Sequence, residues 1–325
     1  DFSNVADQTV SVVTTDDDAA GFTIEETEGS TDVDESGTTD TFTVVLDAQP
    51  TSDVVLTITS DDTGEATVNS PLTFTPVNWD TPQTVTVTGV DEDIVDGTIT
   101  STITIAVDDA NSDDDFDAVV DQTVSVDTLD DDAAGFTIVE LDGATEVTEA
   151  GSTDTFTVVL DAQPTSDVVL TVTSDDTSEA TVNSPLTFTP VNWDTPQTVT
   201  VTGADDSIID GTVTSSITVA VDDANSDNDF DAVADQTVSV DTTDDDVAGF
   251  TIVELDGATE VDESGTTDTF TVVLDAEPAT DVVLTVTSDD TSEATVNSPL
   301  TFTPANWDTP QIVTVTGADD DLVDG

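Results

Sequence analysis

The chain has 325 residues, with 74 Asp and Glu and no Lys, Arg or His, so its formal net charge is -74. No internal salt bridge can form, and no basic surface exists to release counterions from DNA or RNA or to meet an anionic membrane, which excludes nucleic acid and direct membrane insertion. With no Cys and no His the chain also lacks disulfides, thiolate metal sites, a Cys nucleophile and the commonest general base.

Polyanions are often disordered, but 35% hydrophobic content in regular spacing predicts a core. No apolar run approaches the roughly 20 residues that span a bilayer. The sequence opens on Asp without a signal peptide and reads as a window from a longer mature chain.

In chain order, residues 1–18 read as the last strand (Thr9–Val13) and acidic linker (Asp16, Asp17, Asp18) of a preceding repeat. Alternation of apolar and polar residues then predicts seven strands, at Gly21–Glu26, Thr41–Leu46, Val54–Thr59, Leu72–Thr75, Thr84–Thr88, Thr98–Val107 and Thr123–Val126. In the sixth, Ile99, Ile103, Ile105 and Val107 share one face and Thr100, Thr102 and Thr104 the other. Turn chemistry separates the strands, as in Ala48-Gln49-Pro50 and Asp61-Asp62-Thr63-Gly64.

The segment opening Asp7-Gln8-Thr9-Val10 recurs at Asp121 and Asp235, and Asn-Trp-Asp recurs around Trp79, Trp193 and Trp307, each step being 114 residues. That period is too long for a solenoid unit and suits one domain per copy. Together these features predict an all-β fold of tandem seven-stranded immunoglobulin-like antiparallel β-sandwiches, strung as beads. The expected divisions are 1–18, 19–132, 133–246 and 247–325, the last copy lacking its final two strands.

When consecutive strands run antiparallel, alternate loops share one end of the sandwich. The loops assigned to this distal pole carry Glu35, Asp61, Asp62, Asp91, Glu92, Asp93 and Asp96, and the last strand delivers Asp130, Asp131 and Asp132. Crowded carboxylates repel, and partial burial worsens the repulsion. Hard divalent cations are the available remedy: Ca2+ takes six to eight oxygens in a flexible geometry that irregular loops can supply, and Mg2+, with its stricter octahedron, ranks second. Because Asp130–Asp132 lead through Ala133-Ala134-Gly135 into the next copy, an ion there is expected to fix the angle between neighbours. The acidic stretch Asp108–Asp117 at the opposite pole is a second candidate for ion ligands.

The motifs Val33-x-Glu35-x-Gly37, Asp61-Asp62-Thr63-Gly64-Glu65-Ala66-Thr67-Val68, Leu72-Thr73-Phe74-Thr75 through Asn78-Trp79, Val85-x-Val87-x-Gly89-x-Asp91 and the terminal Asp triplet resemble the Calx-beta and Calx-beta-like repeats of large bacterial surface proteins, over essentially the whole chain. The resemblance implies distal calcium ligation by Glu35, Asp61, Asp91, Asp93, Asp96 and Asp130–Asp132. Its second-copy equivalents are Glu149, Asp175, Asp205, Asp210, Asp244, Asp245 and Asp246, with Asp176 matching Asp62 of the pole. Third-copy equivalents are Glu263, Asp289, Asp319 and Asp324, and Asp16–Asp18 would serve the preceding repeat. Asp93 is matched by Ser207 and then Asp321, so that ligand differs among copies.

The expected role is a non-enzymatic, extracellular or cell-surface array: the calcium-rigidified stalk of an adhesin or biofilm-matrix protein, each domain adding roughly 35–40 Å. Its first partners are neighbouring repeats of its own chain. A second reading is a subunit that self-associates into a fibre or surface sheath by strand exchange, and a third is a regulatory calcium sensor, for which no transducing segment is evident. Competing with the site reading, the acids could be solvated surface or an adaptation to high salt. Trp79, Trp193 and Trp307 sit in Pro-x-x-Trp turns that plug a sandwich end, which favours core packing over a carbohydrate platform. Asp61 with Asp91 could formally serve glycoside hydrolysis, but no insertion frames a cleft around them.

Overall fold

A computed structural model describes residues 3, 5–141, 143–255 and 257–319. The chain divides into two compact units, residues 1–133 with the first repeat and residues 134–325 with the other two.

The first repeat contains β1 (Phe22–Glu26), β2 (Thr31–Asp34), β3 (Thr39–Leu46), β4 (Val54–Ser60), β5 (Ala66–Val68), β6 (Leu72–Phe74), β7 (Gln83–Gly89), β8 (Ile99–Val107) and β9 (Gln122–Leu129). One sheet has the order β1-β3-β7-β5 and the other β2-β9-β8-β4-β6, which makes the expected immunoglobulin-like sandwich. Two strands exceed the expected seven. β2 runs parallel to β9, from Thr31↔Val126 to Asp34↔Leu129, and β5 pairs with β7 while β6 pairs with β4, so residues 66–74 cross from one sheet to the other. Strands of three and four residues are too short to display a period of two, and their pairing is set by long-range partners.

Alternation sorts the sandwich into core and surface. Phe42, Val44 and Leu46 of β3, Leu56 and Ile58 of β4, Val85 and Val87 of β7, and Ile103 and Ile105 of β8 are buried, each large side chain contributing about 1.5–3 kcal/mol. The alternate residues face out as threonine pairs, such as Thr41↔Thr86 and Thr43↔Thr84. Trp79 packs partly buried against this core, and its carbonyl accepts from Leu46 N–H at 3.2 Å. Phe116, in the loop between β8 and β9, plugs the end opposite the acidic pole.

In the second unit, β10 (Phe136–Glu140), β11 (Thr145–Thr148), β12 (Thr153–Leu160), β13 (Val168–Ser174), β14 (Ala180–Val182), β15 (Leu186–Phe188), β16 (Gln197–Gly203), β17 (Thr212–Val221) and β18 (Gln236–Thr243) repeat the nine-stranded pattern. The third repeat supplies β19 (Phe250–Glu254), β20 (Thr267–Leu274), β21 (Val282–Leu284), β22 (Ala294–Val296), β23 (Leu300–Phe302) and β24 (Gln311–Gly317). Residues 5–20 are exposed and form no strand. The strand expected at Thr9–Val13 is therefore not formed, although Asp7–Val12 has the same sequence as Asp121–Val126. A strand needs partners, and β9 has β2 and β8 on its two sides.

Candidate cation pole

Glu35 is the centre of the pole because β2 carries its inward face one residue pair too far. Thr31, Val33 and Glu35 alternate into the sandwich, and Glu35 is 0% exposed. Its N–H donates to the Leu129 carbonyl at 3.0 Å, which holds it beside the end of β9. Gly37, with φ +86°, then reverses the chain. Across the sandwich, any side chain at Gly89 would collide with the Asp34 carbonyl, so glycine lets β7 lie flush against the residue before Glu35.

Two other segments converge on Glu35. Carboxylate oxygens of Glu35, Glu92 and Asp96 lie within 4.8 Å of one another, as do those of Glu35, Asp131 and Asp132. In the second repeat the acids group differently, as Glu149, Glu179 and Asp210, and as Glu149, Asp206 and Asp246. One buried glutamate is thus shared between two acidic triads in each complete repeat. Asp130 scaffolds the pole: it accepts from Asp96 N–H at 3.1 Å, Gly97 N–H at 2.9 Å and Asp132 N–H at 2.7 Å. Asp244 does the same for Asp210, Gly211 and Asp246, at 3.0, 2.9 and 2.7 Å.

The electrostatics follow from this crowding. Burial, then the charges of Asp130 and Glu65, pushes the Glu35 carboxyl up to about 7. Glu65 is also pushed up to about 7, by burial and then by Asp96 and Glu92. Glu149 rises to about 7 through burial and then Asp206 and Asp244. Burial first, and neighbouring acids second, raises Glu92, Asp132, Glu179, Asp210 and Asp246. Asp244 moves down, because the N–H groups of Gly211 and Asp246 stabilise its charge.

The remaining expected ligands sit around this centre or apart from it. Asp61 accepts from Thr102 N–H at 2.6 Å and Asp175 from Ser216 N–H at 2.7 Å, clasping the neighbouring strand. Asp62 and Asp176 are exposed turn residues that accept from Gly64 and Ser178 N–H. Asp91, Asp93 and Asp205 are exposed and belong to neither triad, although Asp93 and Asp91 are near enough to help raise Asp132. Asp245 is exposed beside Asp246. In the third repeat Glu263, Asp289 and Asp319 are exposed, and Asp321 and Asp324 lie outside the described residues. Asp16, Asp17 and Asp18 are exposed, with Asp18 N–H on Asp16 at 3.1 Å.

Two contributors were absent from the expected ligand set: Glu65 with its counterpart Glu179, at 5% and 4% exposure, and Glu92 with its counterpart Asp206. At the opposite pole Asp113 serves the backbone. Asp113 accepts from Thr51 N–H at 2.6 Å, Thr51 Oγ1 at 2.8 Å and Ser52 N–H at 2.8 Å, which brings its carboxyl down to about 2. No acidic triad forms there among the described residues.

Comparison with protein-family models and with curated proteins finds no match. Among solved structures, the chain is similar to the crystal structure of CBD12 from CALX1.2, at 16% identity over 61% of this chain and 79% of that one, with a TM-score of 0.26. It is also similar to domains 5–6 of the S-layer protein SbsC, at 23% identity over 69% and 97%, TM-score 0.23. The titin I-band fragment I67–I69 matches at 10% identity over 94% and 88%, TM-score 0.25. At these values the likenesses assign no function to the chain.

The residues themselves fit a hard divalent cation. Neither oxygen of Glu35 or of Glu149 has a hydrogen-bond partner, and one oxygen each of Glu65 and Glu179 is likewise unpartnered. Buried polar atoms left so are rare in folded proteins, and several like charges without a counterion are costlier still. Mono- and bidentate carboxylates from several loops are the donor set that calcium accepts.

Proposed function

We propose that the chain is a non-enzymatic structural array of the cell exterior, a stalk of an adhesin or matrix protein. In this reading divalent cations, calcium ahead of magnesium, occupy the acidic pole of each complete repeat and stiffen the joints. The observation that carries it is the buried glutamate of each complete repeat, Glu35 and Glu149, ringed by carboxylates in a chain without one basic residue.

The second repeat offers a route from ion to joint. Its loop between β16 and β17 brings Asp206 and Asp210 to Glu149. The same loop meets the third repeat: the Ser207 carbonyl accepts from Glu277 N–H at 2.6 Å, and Ile209 lines an apolar pocket with Phe250, Leu274 and Pro278. An ion that orders the loop also orders this contact. Chelation with EGTA is expected to lower the melting temperature and to make the chain more flexible by small-angle scattering, and unchanged curves would remove calcium from the account.

A further inference from the structure

Beneath the acidic pole, three inward-facing hydroxyls stand on strands whose other buried side chains are aliphatic. In the first repeat Thr31, Ser101 and Thr128 are 1%, 2% and 0% exposed, and none of their hydroxyl oxygens has a hydrogen-bond partner. They occupy adjacent strands. Thr31 of β2 and Ser101 of β8 both pair with Val126 of β9, and Thr128 lies two residues further along β9, opposite Val33 and Ile99. The other buried positions of these strands are Val33, Ile103, Ile105, Val124 and Val126.

The second repeat has the same arrangement. Thr145 and Ser215 are 2% and 4% exposed and again without partners. Thr242 makes a single contact, donating to the Glu179 carbonyl at 3.4 Å, which sets this hydroxyl beside a residue of the acidic pole. Valine has nearly the shape of threonine, and it would fill these positions without burying a polar group. The same three positions carry inward-facing hydroxyls in both complete repeats, and buried hydroxyls are normally hydrogen-bonded to protein or to ordered water.

We infer that these hydroxyls bind ordered water, a small cluster within each complete sandwich that reaches the pole and hydrates its buried carboxylates from inside. Diagonal neighbours on adjacent strands have Cβ atoms about 7–8 Å apart, a span that one or two waters close between hydroxyls. The next inward residue beyond Val33 on the β2 side is Glu35, whose two oxygens are also unpartnered. A carboxylate only accepts, whereas water accepts from a hydroxyl and donates onward to a carboxylate, so water joins the two sets of groups. The inference concerns the inner side of the pole and holds with or without a cation above it.

The test is a high-resolution crystal structure of the full chain in EGTA, together with thermal unfolding of the Thr128→Val and Ser101→Ala variants. Expected are waters within hydrogen-bond distance of at least two of the three hydroxyls in both complete repeats. Thr128→Val should lower the first-repeat midpoint by about 4 °C, because the cluster loses a partner. Hydroxyls without water, or midpoints unchanged or raised in both variants, would overturn the inference. Calcium titration is a separate readout, so a dry interior and a failed cation site are told apart.

Discussion

The second and third repeats both contain the strand Phe-Thr-Ile-Val-Glu, at Phe136–Glu140 and Phe250–Glu254, and they bury it differently. In β10 Phe136 is buried and Ile138 half-buried, whereas all five residues of β19 are exposed. Among the described residues, β21 pairs with β23 alone and no counterparts of β17 and β18 lie beside it. The effect spreads from there. β21 has three residues where β13 has seven, because β13 pairs with β17 along its far half. Residues 259–262 form no strand where Thr145–Thr148 pairs in parallel with β18. Glu263 is exposed where Glu149 is 0% exposed. The acidic pole thus belongs to the closed sandwich, while its loop sequences alone leave the acids in solvent.

Core truncation should widen this contrast most. Phe156→Ala removes a fully buried ring and is expected to destabilise the second repeat by about 3–5 kcal/mol. Phe270→Ala, at the half-buried equivalent, should cost clearly less in the same denaturant titration. Equal costs would mean that the third core is as well closed as the second.

Calcium should come next. At one hundred times its dissociation constant, one ion adds about 2.7 kcal/mol to the state that binds it. Calorimetry should therefore show calcium raising the transitions of the first two repeats more than that of the third, which it reaches only through the Ser207–Glu277 contact. Glu149→Gln should weaken calcium binding at the second pole at least tenfold, or about 1.4 kcal/mol, while stabilising the cation-free protein by removing a buried charge. Glu263→Gln should do neither.

The smallest effect is on pH dependence. Glu35, Glu65 and Glu149 stand at about 7 in the folded, cation-free protein against an ordinary 4.5, so the folded state holds extra protons between those values. In EGTA the complete repeats should lose stability as pH rises from about 4.5 to 7 and should be most stable on the acid side. Calcium, which needs the deprotonated carboxylates, should reverse that slope, and the third repeat should show neither trend.

Much of this was legible in the sequence, for identifiable reasons. The period of two in segments such as Ile99–Val107 fixes which residues face inward, and loop parity gathers Glu35, Asp96 and Asp130–Asp132 at one end. What escaped was decided by short segments. β2 and β5 have four and three residues and owe their existence to β9 and β7. Glu65 sits just before β5, where no periodicity marks it as buried. Residues 91–96 form no strand, so no period in the sequence separated the half-buried Glu92 and Asp96 from the exposed Asp91 and Asp93. The acids of the opposite pole could not be separated from ligands by composition, because Asp113 is distinguished only by the Thr51 and Ser52 donors it meets in the folded chain.

A crystal structure of the chain grown with calcium tests the central claim most directly. The account predicts cation density about 2.3–2.6 Å from carboxylate oxygens of Glu35 and Glu149, and none at the exposed Glu263. Density explained by water alone at both buried glutamates, under saturating calcium, would contradict it.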